Sequence, residues 1–309
     1  MNTQSSTMPE SVETQAAAAV DSVSTRPFCW SLRRELWENR SIYLAPLGVA
    51  GVALIGFVPT LVHLPSKVRA LSTLDPMQQH DLTERPFDMA AGLLMATFLI
   101  VAAFYCLDAL YGERRDRSIL FWKSLPVSDV TAVLAKAAVP LLVLPLLTFV
   151  VTVVTQAIML LFSGVVLLGS GQSVTPLWNQ LSFFRMSLNL LYHLLTVHVL
   201  WEAPLYAWLM LASAWARRAP FLWGVLPPFA IGVVEKMLFN TSHFAQMLLD
   251  RLTGAGMDAL TAPDTMPMNP MTHLTPLRFF GAPGLWLGLL LAAGFLAGAV
   301  VLRRYRGPV

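Results

Sequence analysis

Between Ala137 and Phe184 the chain runs for 48 residues without an Asp, Glu, Lys or Arg. The hydrocarbon core of a bilayer is about 30 Å thick, and about 20 mostly apolar residues in a helix cross it. A stretch this long is therefore more than one span, and the Gly, Ser and Pro of "SGVVLLGSGQSVTPLWNQ" break it. Other long uncharged runs flank it. Only 13% of the chain is charged, against about 25% in a soluble domain. The sequence predicts an all-α, polytopic membrane protein with six spans, at about 42–64, 89–107, 138–168, 187–214, 219–234 and 284–302. They form one transmembrane domain over 28–306.

The ends and loops complete the topology. Residues 1–27 are rich in Ser, Thr, Ala and Val, with no basic residue before Arg26. "AAAAV" is too short for the apolar core of a secretory signal, so a disordered cytoplasmic tail is expected. In "RPFCWSLRRELWENR" (26–40), Phe28, Leu32 and Leu36 recur every four residues, marking one helical face. Trp30, Arg33, Arg34 and Trp37 lie on the other side. Basic residues mixed with Trp suit the headgroup layer, which predicts an interfacial helix. With the N-terminus inside, Lys and Arg number 14 inside and 7 outside, and that bias sets the orientation. The tally is unchanged if span five is re-entrant; "RRYR" after span six favours a cytoplasmic C-terminus. Segment 235–283 is then extracytoplasmic. Basic residues sit at span ends with no soluble basic domain, so no nucleic-acid partner is expected. The implied location is a plasma (inner) membrane.

The densest charge lies in "YGERRDRSILFWKSLPVSDV" (111–130). Ile119, Trp122 and Leu125 share one helical face, and Glu113, Arg114, Arg117 and Lys123 supply a polar surface. Ser128 and Asp129 look like the N-terminal cap of the next helix. The order Glu113-Arg114, short helix, Pro126-Val127-Ser128 and Lys136 resembles the first cytoplasmic loop of type-two ABC exporter permeases. "APLYAWLMLASAWARRAPFLWGVLPP" (203–228) and the overall span plan are also similar to members of that family. The chain departs from the family where a Gly-Thr-Leu-like turn is common, reading Arg117-Ser118-Ile119 instead, which puts the local bend in doubt. The resemblance implies a permease subunit that binds no cofactor itself. ATP and Mg would sit on separate ABC ATP-binding subunits, docked on Glu113, Arg114, Arg115, Arg117, Ser118, Trp122 and Lys123. It also implies a second permease copy or a related chain as partner in the bilayer, with no catalytic residues in this chain.

"LLGSGQS" (167–173) is a weak match to an ABC ATPase signature, and no GxxxxGK[ST] phosphate loop accompanies it. Glu202 falls inside span four. An intramembrane carboxylate faces the bundle interior or a cavity, so Glu202, His198 one turn back, and Trp201 are candidates for the substrate path. The alternative is a purely structural pair. His193 could extend a proton relay with these two, the mark of an ion-coupled secondary transporter. A polytopic membrane enzyme or assembly factor without an ATPase is a further alternative. Met266, Met268, Met271 and His273 could attract Cu(I), though a loop filler is the plainer account. Cys29 and Cys106 have no metal-ligand or CxxC spacing, and no metal site is expected.

Overall fold

A computed structural model describes residues 26–71, 76–124, 127–175, 183–253 and 276–307. The expected tail up to residue 25, the Met-rich segment 264–274, and Leu125 and Pro126 lie outside the described residues. Every regular element among the described residues is helical. We number them α1 (Arg26–Glu38), α2 (Ser41–Leu71), α3 (Pro76–Ala109), α4 (Tyr111–Arg115), α5 (Ser118–Ser124) and α6 (Asp129–Gly169). Then follow α7 (Phe183–Trp201), α8 (Ala203–Trp215), α9 (Pro220–Phe239), α10 (His243–Thr253), α11 (Pro276–Gly281) and α12 (Pro283–Tyr305).

Five of these helices are long and apolar enough to cross a membrane. The bent pair α7–α8 makes a sixth if counted as one span. The surface agrees with a lipid solvent. Val52, Ile55, Leu146, Leu161, Phe229 and Leu290 face outward, while Thr148, Thr152, Gln156 and Glu202 are buried. Soluble proteins bury apolar groups and leave polar ones in water; here the pattern is inverted, as in a multi-pass membrane protein.

The core joins α3, α6, α8 and α12 around Phe98, Val139, Leu144, Tyr206, Met210 and Ala299. Ala203 and Ala207 of α8 meet Ala292 of α12. Small side chains let membrane helices approach closely, so dispersion contacts replace the hydrophobic drive that lipid removes. Gly224 serves the same end: a Cβ there would stand 2.9 Å from Leu107 Cδ2. The close approach also lets Trp208 Nε1 donate to the Gly224 carbonyl at 2.8 Å.

Several boundaries differ from the expected ones, for local reasons. α6 starts more than two turns outside the apolar run, because the Ser128 side chain caps it by accepting from Thr131 N at 3.1 Å. A π turn over Val139–Val143 contains Pro140, whose missing N–H disturbs the α ladder. The far end of α6 stops in a Schellman arrangement. Gln172 N donates to Leu167 O and Gly171 N to Leu168 O, both at 3.0 Å, with Gly171 at φ +72°. "LLGSGQS" is thus a helix terminator. Span four is not one straight rod: α7 ends in a π segment, and α7 and α8 meet at 46° beside Glu202 and Pro204. α9 is not short either, since it continues through Pro227 and Pro228 to Phe239.

The bend expected between α4 and α5 survives without glycine. Arg117 takes the left-handed conformation at φ +59°. A side chain there costs roughly 1–2 kcal/mol. Arg117→Gly is therefore expected to raise the unfolding temperature in detergent by relieving about 1 kcal/mol of strain. An unchanged or lowered midpoint would count against the strain.

A buried ion network beneath the helix bundle

Four separate elements bring charge to one place. Glu35 and Arg34 come from α1, Glu113 from α4, Lys136 and Asp129 from the first turns of α6, and Arg303 from the end of α12. Glu35, Glu113, Lys136 and Arg303 are buried. Lys136 Nζ donates to Glu35 Oε1 at 2.7 Å and lies 3.3 Å from Glu113 Oε1. Arg303 Nη2 donates to Glu113 Oε2 at 3.3 Å, and its Nη1 donates to Asp129 Oδ1. Arg34 Nη1 lies 3.7 Å from Glu113 Oε1, while its guanidinium stacks 3.4 Å above the Trp122 ring. Tyr105 OH donates to the second Glu35 oxygen at 2.9 Å. Three cations thus face three carboxylates. Mutual pairing offsets the desolvation of each charge, which no isolated buried charge could bear.

This network changes what the loop 111–124 can present. Glu113 and Arg114, expected on a docking surface, are buried. Glu113 lies at the centre of the network. Arg114 Nη1 donates to the Ala214 carbonyl at the end of α8. The start of α4 has no cap of its own, so Ser213 supplies one, its Oγ accepting from Leu110 N at 3.1 Å and Tyr111 N at 2.9 Å. Ser118 is half-buried and its hydroxyl donates back to Glu113 O at 3.4 Å. Trp122 is half-buried under Arg34. Lys123 is exposed but ties α5 to the C-terminal end, donating to Arg304 O at 3.2 Å and Arg306 O at 3.4 Å. Arg115 and Arg117 remain exposed, and Leu120 and Phe121 beside them are about 60% exposed. Of the expected apolar face of α5, Ile119 is buried and Trp122 half-buried, while Leu120 and Phe121, off that face, point out.

The expected interfacial helix is α1. Leu32 and Leu36 pack against the core, and Trp30 and Trp37 are exposed with Arg33 between their rings, 5.6 and 4.9 Å from the centroids. Arg34 departs from that face and turns inward to the network. Spacing alone missed Glu35, Asp129, Tyr105 and Arg303. One signal was present: an acid in a helix otherwise set with Arg and Trp, and a Lys opening a long uncharged run.

A second buried polar group lies within the bundle. Glu202 is fully buried at the α7–α8 break. His198 Nδ1 stands 2.9 Å from its Oε1, and Tyr206 OH donates to its Oε2. Phe98 meets the imidazole edge-on at 5.0 Å, and His193 lies 5.5 Å away. His198 and Glu202 are thus brought together as expected. Trp201 is turned elsewhere, packing on Phe279 and Leu285, with Nε1 donating to Asp250 O at 3.2 Å. Arg251 of α10 clamps the same end: Nη1 donates to Trp201 O at 2.8 Å and Nη2 to Gly284 O at 2.6 Å. Its guanidinium lies 4.6 Å from the Trp201 ring centroid, and burial holds its pKa below the ordinary value.

Among the described residues, no cluster of three or more His, Cys, Asp or Glu could hold a metal ion. Cys29 is exposed and Cys106 buried, both as free thiols. No family model, no curated protein and no solved structure matches this chain.

Proposed function

We propose that this chain is the membrane-spanning permease subunit of an ATP-driven exporter, gripped from the cytoplasm by a separate ATP-binding subunit through the loop 111–124. In this reading two permease chains form the path and neither hydrolyses ATP. The single observation that carries it is the buried network of Glu35, Glu113, Lys136, Arg303 and Asp129. It ties the exposed hook of Arg115, Arg117, Leu120 and Phe121 to α1, α6 and α12 at once. A motor can move spans only through a stiff contact that has two arrangements. A charge-locked joint transmits such a push without shearing. The two-to-one excess of Lys and Arg on the loop side supports a cytoplasmic hook and N-terminus, and the pairing of Arg303 with Glu113 and Asp129 supports a C-terminal end on the same side.

A second reading, an ion-coupled transporter, is favoured by the buried His198–Glu202–Tyr206 group. Affinity purification of the tagged chain from its native membranes separates the two. An ATPase should co-purify, and Arg115→Glu combined with Phe121→Ala should cut its recovery at least tenfold with unchanged membrane insertion. Unaltered recovery in that variant would remove the docking role. Transport by the chain alone under a proton gradient would favour the second reading.

A further inference from the structure

Beside the network, outside it, a groove of about 600 Å³ opens on the flank of the bundle between the α1–α2 junction, the last turns of α3 and the start of α9. Its long wall is one face of α3. Ile100, Phe104 and Asp108 follow at intervals of four, so the wall runs about 12 Å along the helix axis. Phe221 of α9 forms the facing side. Ile100, Phe104 and Phe221 are each more than half exposed. The other end is polar, lined by Ser41, Asp108 and Arg115. The groove is therefore graded along its length, apolar towards the bundle middle and charged at the span end.

We propose that this groove holds one phospholipid with an amine-bearing, zwitterionic headgroup. Its amphipathic axis matches a lipid lying parallel to the spans, with an acyl chain against Ile100 and Phe104 and the headgroup at Asp108 and Arg115. The charges at the mouth specify the headgroup. Arg115 Nη1 and Asp108 Oδ1 stand 3.6 Å apart, paired but beyond hydrogen-bond distance, and both side chains are 54% exposed. Arg115 Nε is engaged by Asp116 Oδ1 at 3.0 Å, leaving the outer nitrogens of the guanidinium to take a phosphate. Asp108 accepts the ammonium. Asp108 and Arg115, one charge of each sign, are the charged residues lining the mouth, so it complements a headgroup that itself carries both charges. Asp108 gains a partner from a headgroup that ends in a cation and none from one that ends neutral on an anionic phosphate.

The test is native mass spectrometry of the full chain released from nanodiscs holding equal phosphatidylethanolamine and phosphatidylglycerol. One retained phosphatidylethanolamine is expected, at several-fold over phosphatidylglycerol. Asp108→Asn should abolish that preference, and Ile100→Trp, which fills the trough, should abolish retention of either lipid. Equal retention of the two lipids by the unsubstituted chain would overturn the proposal, as would undiminished retention in Ile100→Trp. The inference does not depend on what drives transport, because the wild-type comparison is made without ATP or a gradient.

Discussion

Lys136→Met is expected to destabilise the protein by about 3–5 kcal/mol, the usual penalty for removing one partner of a buried ion pair. The ammonium stands against both Glu35 Oε1, at 2.7 Å, and Glu113 Oε1, at 3.3 Å. Without it, among the described residues, Glu35 keeps the Tyr105 hydroxyl and Glu113 leans on Arg303 and Arg34. Methionine fills the volume, so the loss is electrostatic and not a cavity. The double variant Glu35→Gln, Lys136→Met removes the orphaned carboxylate as well. It should be more stable than the sum of its single variants by at least 1 kcal/mol, within the range for groups in one network. Unfolding midpoints in detergent give all four corners of the cycle, and strict additivity would mean that the pair does not act as one unit.

Arg251→Ala should cost about 2–3 kcal/mol, since two hydrogen bonds from a charged donor are lost together. The carbonyl at Trp201 is open to Arg251 because Leu205 N donates to Glu202 O instead, at 2.9 Å. The bend that isolates Glu202 therefore creates the acceptor that α10 grips. Gly288 makes room for the grip: a Cβ there would fall 2.4 Å from Arg251 Nη1. Gly288→Val should displace the guanidinium and reproduce most of the Arg251→Ala loss while leaving Arg251 in the chain. Hydrogen exchange over residues 243–253 should rise in both variants. Unchanged protection there would show that α10 is held by something other than this clamp.

α10 itself shows where legibility ended. In the sequence, 235–283 reads as a mixed outer segment. Within it the carboxylate of Glu235 starts a new helix, accepting from Thr241 Oγ1, His243 N and Phe244 N, each at 2.8 Å. Asn240, left-handed at φ +52°, closes α9 just before it. These partners lie six to nine residues apart, beyond any helical repeat, so a search by period does not find them. The Ser128 cap was legible because acceptor and donor lie three residues apart. The pairing of His198 with Glu202 was legible for the same reason, one turn of helix.

The exposure of the charged loop was half legible. The charge density of 111–117 announced an exposed loop, and Arg115 and Arg117 are exposed. Glu113 and Arg114 are not, because their partners, Arg303 and Ala214, stand 190 and 100 residues away in sequence. Side chains that look alike in a run of charge are sorted into interior and surface only when distant span ends converge on them.

What the sequence determined alone is the solvent and the secondary structure. Apolar runs of span length, interrupted by Gly, Pro and charge, leave a chain in lipid no state but helices, since each helix satisfies its own backbone. What only the tertiary structure decided is which charges meet. Pairing depends on how span ends assemble, and helix packing in lipid is set by small residues such as Gly224 and Ala292, whose spacing carries no mark of the partner they admit.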